Sequence, residues 1–447
     1  MIPDSATNES SWQPLVTGEP AASALEAVEA IAADLAAAPA PPAGIGAEEA
    51  AIWHAALASG DAGRALFFAY LDLHSQATRA DDANDASDAS TPREDHAARA
   101  IELLDRAVDG LAAGPPRAGL FAGLPGVAWV AEHLRGRLFE QEAEAGDPVD
   151  EVVLAWLSRS RWDGDHDLLG GLAGLGVYAV ERLPRPAAIR SLEIVVERLA
   201  AGAERTATGA AWFTPPERLP PARRRDRPQG GYDLGAAHGA AGVAALLGAA
   251  CRAGVDQALP LLGEAVRGLL SHRAPDRGKG CFPHVVGPGV AIRGGRLAWC
   301  YGDLGIAAAL AVAGEGARRP DWRASAFEIA RAAAGRPLAS SGVVDAGLCH
   351  GAAGVAHLFN RLYQASGEAS LGEAARRWLG QALALRRPGC GAGGFRTWET
   401  DAEGRGEWHD DFGFLTGAAG IGLALLAAVS PVEPAWDRTL SLSLRPD

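Results

Sequence analysis

Two short stretches bring soft metal-binding atoms to the same place in a repeating pattern. Trp299-Cys300-Tyr301-Gly302 and Gly347-Leu348-Cys349-His350-Gly351 each set a cysteine just ahead of a Gly-x-x-Gly pair, and the second adds a histidine after its cysteine. Two thiolates and an imidazole make three of the four ligands of tetrahedral zinc, and three protein ligands with one open position mark a catalytic rather than a structural site. A lone buried cysteine reads as a small hydrophobe. A Cys and a Cys-His at matched positions of consecutive units predict one metal site built from Cys300, Cys349 and His350.

Gly235-Ala236-Ala237-His238-Gly239 puts His238 in the register of His350. From position alone His238 is a fourth ligand, a general acid/base beside the metal, or a histidine satisfied by backbone carbonyls. Asp167 opens the otherwise apolar stretch Asp167-Leu168-Leu169-Gly170-Gly171. There a carboxylate is either a helix N-cap or a member of the site. His357 falls two turns down an apolar segment and reads as core. His409, beside Asp410 and Asp411, faces the mouth of a cavity or water, and His166 cannot share the direction of Asp167. Cys251, Cys281 and Cys390 share no repeat register; they read as core or loop, with Cys281 and Cys390 kept as fringe contributors.

What must position these groups is a repeat. A Gly-x-x-Gly followed by an apolar helical run occurs seven times, led by Gly60, Gly123, Gly171, Gly239, Gly302, Gly351 and Gly417. Amphipathic segments of helical period lie between them, at residues 24–31, 98–111, 152–157, 192–199, 257–270, 324–334 and 371–385. Each charged segment precedes one glycine-led apolar segment, so the chain reads as seven helix pairs. Valine and isoleucine do not alternate, which argues against a large sheet. An open solenoid would expose one face of its inner helices, and that face would have to be polar. Here it is apolar. The prediction is an all-α fold closed on itself: an α/α toroid with seven outer and seven inner helices.

Residues 21–447 read as one toroid domain behind a flexible tail at 1–20. Residues 36–46 read as an Ala/Pro-rich connector and 76–96 as a disordered insertion. Residues 206–231 read as a long loop. Its cluster Arg223-Arg224-Arg225 is a solvated charge run or a patch for an acidic peptide segment. Residues 412–432 carry no charge over a length that could span a bilayer, but four glycines and a place in the repeat make them a core helix. The 447 residues hold 41 Lys or Arg against 55 Asp or Glu, a net charge of −14. So acidic a chain lacks the basic face that nucleic acid requires. Five cysteines, an odd and sparse count, argue against a disulfide framework and for the cytoplasm. The first residues resemble no secretion signal.

These residues together resemble the lanthionine synthetase C-like family, the lanthipeptide cyclases, from about residue 50 to residue 443. The likeness rests on the seven Gly-x-x-Gly units, Trp299-Cys300-Tyr301-Gly302, Cys349-His350-Gly351, His238-Gly239 and the closing Trp436-Asp437-Arg438. It implies a double ring of helices and one Zn2+ per chain on Cys300, Cys349 and His350. It also implies a catalytic set of His238, Asp167, Tyr301 and Arg296, the last four residues before the first zinc cysteine. The implied activity adds peptide cysteine thiolates to dehydroalanine or dehydrobutyrine, closing (methyl)lanthionine thioether rings. The Cys-His pair resembles that of stand-alone cyclases, and the repeats leave no room for a dehydratase domain. The implied partners are therefore a dehydrated precursor peptide with leader and core, a separate dehydratase and an exporter. Three rivals stand beside this reading. One is addition of glutathione or another small thiol to dehydrated residues. Another is a non-catalytic peptide-binding scaffold in a modification complex. The third, isoprenoid alkylation of protein cysteines, would want an aromatic cavity, which 6% aromatic residues hardly supply.

Overall fold

The structure, a computed structural model, describes residues 12–36, 44, 46–81, 95–112, 114–139, 148–275, 280–291, 294–400 and 405–444. The helices begin with α1 (Glu19–Ala36), α2 (Ala47–Ala55), α3 (Asp61–Asp81), α4 (His96–Leu111) and α5 (Leu124–Leu134). Then come α6 (Pro148–Leu157), α7 (Leu172–Glu181), α8 (Pro186–Gly202), the short α9 (Pro221–Asp226), α10 (Ala240–Arg252) and α11 (Ala258–Leu270). The chain continues through α12 (Asp303–Gly316), α13 (Pro320–Ala334), α14 (Ala352–Ser366), α15 (Ala369–Ala384) and α16 (Ala418–Val429).

The glycine-led helices α3, α5, α7, α10, α12, α14 and α16 pack each against the next, and α16 returns to α3. That closes the inner ring. A helix covered on all sides is apolar on all sides; every residue of α16 is buried, so the uncharged run at 412–432 is core, whereas α3 turns polar and partly exposed in its second half. Among the described residues, no helix is long and apolar enough to cross a membrane.

The outer ring pairs differently from the order expected. Each of α4, α8, α11, α13 and α15 packs chiefly on the inner helix before it, not the one after it, while α6 leans on α8 as well as α5. The reason is connection length. From α7 onward an inner helix turns back within a few residues into its outer partner, as at Gly367, whose positive φ of 68° ends α14. The long connections run from outer to inner helix and carry the site. This leaves α16 without a successor, and α1 covers it.

The tail expected at 1–20 is packed from Trp12 onward. Trp12 is buried and its indole N–H donates to the Ala427 carbonyl at 3.1 Å. The N–H of Leu15 donates to Ala428 at 2.8 Å. The first and last parts of the chain thus close the toroid together. Residues 1–11 lie outside the described residues, as does most of the expected insertion, of which 76–81 is the end of α3. Residues 206–231 are no bare loop. They hold β2 (Gly209–Ala211), β3 (Phe213–Thr214), a 3-10 turn and α9, and they abut β1 (Glu204–Thr206) and β4 (Gly231–Asp233). With β5 (Val285–Val286), β3 and β4 form a three-stranded antiparallel sheet; β6 (Thr397–Thr400) and β7 (Gly406–His409) form a hairpin.

The Gly-x-x-Gly signature has a single geometric cause. In α5, α7, α10, α12, α14 and α16 the first glycine is the N-cap, and none of these caps uses a side-chain hydrogen bond. The first-turn N–H groups bond instead to carbonyls seven residues back in the preceding loop, as Ala352 to Asp345, Ala353 to Ala346 and Gly354 to Gly347. This satisfies the donors that every helix start leaves open, and it presses the loop against the helix. A Cβ on Gly242 or Gly354 would collide with the carbonyl of Ala236 or Leu348, so only glycine permits the approach.

The seven loops are themselves joined in a circle. Ala58 N–H donates to Phe121, Phe121 to Leu169, Leu168 to Ala237, Ala237 to Cys300, Trp299 to Cys349, Cys349 to Leu415, and Phe414 back to Ala58. This collar lies at the N-terminal end of every inner helix. A 3-10 turn, Ala435–Leu440, fills the bore beneath it: Asp437 meets His357 and Arg361 of α14, and Arg438 reaches Glu181 of α7 on the other side.

Candidate metal centre and its neighbours

Cys300 and Cys349 occupy the same collar position, two residues before the N-cap glycine. His350, Tyr301 and His238 occupy the next position of their own units. The collar hydrogen bond between Trp299 and Cys349 sets the two loops side by side, and the donor atoms of Cys300, Cys349 and His350 lie within 4.8 Å of one another. Ions with about 2.3 Å to sulfur and about 2.0 Å to nitrogen need ligand atoms about 3.5 Å apart or a little more. Donor atoms this close can share one such ion. Both cysteines are 7% exposed.

The two thiols do not titrate alike. The hydrogen bond from Cys349 favours the thiolate of Cys300, and although burial opposes it, His350 and Arg296 add to the effect, so Cys300 ionises well below its ordinary 9.0. Cys349 moves well above, pushed by that same hydrogen bond and by burial. Two such thiols give two thiolates only if a cation shares the site, and soft sulfur with imidazole is a donor set that fits zinc. Among the described residues no other cluster of three His, Cys, Asp or Glu side chains has this geometry.

His238 and Asp167, 71 residues apart in sequence, meet: His238 Nδ1 lies 2.6 Å from Asp167 Oδ2. The other carboxylate oxygen accepts the N–H of Gly170 at 2.9 Å. Asp167 therefore caps the turn before α7 and partners the histidine, but it is not the helix N-cap, a place that Gly171 takes. Burial opposes its ionisation, but the bonds from His238 and Gly170 outweigh that and hold its carboxyl below the usual value. An ionised carboxylate only accepts, so Nδ1 carries a proton and Nε2 is the nitrogen free to exchange one.

Tyr301 stands between two histidines, its ring 6.0 Å from that of His238 and 5.3 Å from that of His284. Its hydroxyl donates to Asp233 at 2.8 Å and accepts from Arg223 at 3.3 Å. Burial and Asp233 push the phenol well up, so its proton stays on. Asp233 in turn holds Arg227 at 2.7 Å in a buried ion pair. Arg296 lies near enough to both thiols to favour their ionised forms, and its Nε is buried without a protein partner.

The other expectations resolve as follows. His357 is buried, bonded to Asp437 at 2.7 Å and stacked on Trp436, as a core histidine should be. His409 is exposed in β7, and the ring of His166 sits beside Trp212 and hydrogen-bonds the main chain of His238. The basic cluster is not a plain charge run, since Arg223 is bound to Tyr301 and Arg224 holds three carbonyls of its own loop. Asp233, Arg227 and His284 were not anticipated. For Asp233 a signal existed: Asp165, Asp233, Asp345 and Asp411 each stand six residues before an N-cap glycine. Asp345 and Asp411 use that place to hold the N–H two residues on.

A closed ring of helix pairs with thiols, imidazoles and a histidine–carboxylate pair gathered at its collar defines an α/α toroid with a candidate soft-metal centre. The chain belongs to the lanthionine synthetase C-like protein family, which matches residues 51–441. Among proteins of known structure, nisin cyclase superposes with a TM-score of 0.65, covering 88% of this chain and 93% of its own. The identity between them is 18%, so this is a likeness of fold. No curated protein matches the chain by sequence.

Proposed function

We propose that this protein is a zinc-dependent lanthipeptide cyclase, which adds peptide cysteine thiols to dehydroalanine or dehydrobutyrine and so closes thioether rings. The observation that carries the reading is the placement of the Cys300–Cys349–His350 cluster and the His238–Asp167 pair on joined loops at one end of the toroid. Family membership and the likeness of fold to nisin cyclase support it.

In the reaction the cysteine S–H bond breaks, a bond forms from sulfur to the β-carbon, and a proton arrives at the α-carbon, so mass is unchanged. Cys300, Cys349 and His350 would hold the zinc ion, which when bound lowers the pKa of an incoming thiol. His238 Nε2 takes and returns the proton, while Asp167 fixes the tautomer and orientation of the ring. Arg296 faces the negative charge that grows on the acceptor carbonyl. Tyr301 acts as a neutral phenol whose oxygen is already bound by Arg223, so its part is to shape the site. The substrate class is a dehydrated precursor peptide, leader plus core. A dehydratase must supply it and an exporter follow, while the ring closure itself takes place in the cytoplasm.

The test is direct. A dehydrated peptide with free cysteines, incubated with the zinc-loaded protein, should lose thiol titre at constant mass. A mass gain with added glutathione would mean small-thiol addition, and unchanged thiol titre would leave a binding protein.

A further inference from the structure

Beside the metal cluster lies a half-open cavity of about 190 Å³, lined among others by Arg223, His284, Val285, Val290, Ala291 and Tyr301. None of its walls except Tyr301 belongs to the set discussed above as reacting or metal-holding. It is too small for a whole drug-sized ligand, which takes about 300–1,000 Å³, and matches a single side chain. One wall is apolar: Val285, Val290 and Ala291. The opposite side carries polar groups whose engagements differ. Arg223 is committed to the Tyr301 hydroxyl and lies over its ring at 5.8 Å. His284 is not committed. Its Nε2 is buried and has no hydrogen-bond partner in the protein, while the main chain at this point is fixed by the Leu234 N–H bonding to the His284 carbonyl at 3.0 Å.

A buried imidazole nitrogen without a partner is costly to keep unless something else satisfies it. Tyr301, against which His284 packs, directly follows Cys300 in the chain. A peptide whose cysteine reaches the metal cluster must therefore pass its neighbouring residue along this cavity. We propose that the cavity is the subsite for the residue flanking the reacting cysteine. An apolar side chain packs on Val285, Val290 and Ala291, and His284 Nε2 hydrogen-bonds the peptide backbone beside it. The inference rests on the cyclase reading and specifies the substrate: a peptide with an apolar residue next to the cysteine that reacts.

Binding of unreactive peptides tests the subsite apart from catalysis. Labelled Gly-Gly-Cys-Gly-Gly and its two variants with Leu on either side of the cysteine are titrated into zinc-loaded full-length protein by fluorescence anisotropy. Leu on one side should tighten binding about tenfold, in keeping with burial of one apolar side chain. Val290→Arg, which fills the cavity, should abolish that preference. His284→Ala should weaken all three peptides about tenfold, the cost of one buried hydrogen bond, with zinc content unchanged. Equal affinity for the three peptides, or no binding of any, would remove the subsite, and so would a His284→Ala protein that binds like the wild type. Since these peptides cannot cyclise, a preference for Leu together with failure on dehydrated substrate would overturn the cyclase reading and leave the subsite standing.

Discussion

The N–H of Trp299 donates to the carbonyl of Cys349 at 3.0 Å, so the stretches carrying the two thiols are joined through their main chains. Side-chain changes at the cluster therefore leave the collar intact. Cys349→Ala should lower bound zinc from one per chain to near zero, measured by plasma mass spectrometry after dialysis, with the helical circular-dichroism signal preserved. Retention of a full equivalent would show that the ion is held elsewhere.

A second expectation concerns the histidine–carboxylate pair. Asn at position 167 keeps the size of Asp167 but is no longer a dedicated acceptor, so His238 loses both its charge partner and its fixed tautomer. Ring closure by Asp167→Asn should slow by about 10² or more, within the range for general acid–base groups, at unchanged zinc content. The sign of the pH effect follows from the depressed carboxyl. Ionised Asp167 adds stability above its usual value of 3.8, and that contribution disappears as pH falls through the lower folded-state value. Wild type and variant should thus differ in thermal midpoint at pH 7 and converge in strong acid. Equal rates at pH 7 would move the proton chemistry to another group.

Much of this architecture could be read from residue order, and the exceptions share a cause. The seven glycine pairs, the metal cluster and the places of His238 and Asp167 are repeat features, and a repeat puts equivalent residues at the same end of a ring. The pairing of α1 with α16 is invisible to such a pattern because ring closure joins segments about 400 residues apart and nothing local marks it. Asp233 and Arg223 reach Tyr301 from a three-residue strand and one short helix, and His284 from the bend before a two-residue strand, all too brief for any periodicity to register. Tyr301 shows the same limit from the other side. Its position put it in the site, but only the bond to Asp233 reveals that its proton is already engaged.

The glycine at the third position of each inner helix yields a counter-intuitive prediction. In an exposed helix, Gly→Ala stabilises by about 0.5–1 kcal/mol. At Gly354 the new methyl would strike the Leu348 carbonyl, in the loop that carries Cys349 and His350. Gly354→Ala should therefore lower the thermal midpoint and weaken zinc retention against a chelator, even though neither ligand is altered. Gly380, in outer helix α15 with open space around it, serves as the control, and Gly380→Ala should raise the midpoint slightly. If both variants behaved alike, the close approach of loop and helix would not be what the glycines are for.

Away from the Cys300–Cys349–His350 cluster, Tyr70 Oη lies 2.9 Å from His133 Nε2, and His133 Nδ1 lies 2.8 Å from Glu181 Oε1. The tyrosine keeps its proton, since burial raises its pKa, so it donates to Nε2 and the neutral imidazole donates from Nδ1 to the carboxylate. Burial drives the histidine down to about 4, against the pull of Glu181. In the unfolded chain the same group titrates near 6.5. Between those values the unfolded state binds a proton that the folded state refuses, so stability is lost as pH falls from about 6.5 toward 4 and this group costs nothing above that window. At full development this corresponds to about 3 kcal/mol. Glu181 acts in a lower range, because its depressed carboxyl withdraws support only below its ordinary 4.5. His133→Gln can keep one bond to each neighbour without titrating. Its thermal midpoint should therefore fall less than that of the wild type between pH 7 and pH 5, by scanning calorimetry, whatever its absolute stability. A variant with the same pH slope as the wild type would show that this histidine is already charged inside the ring.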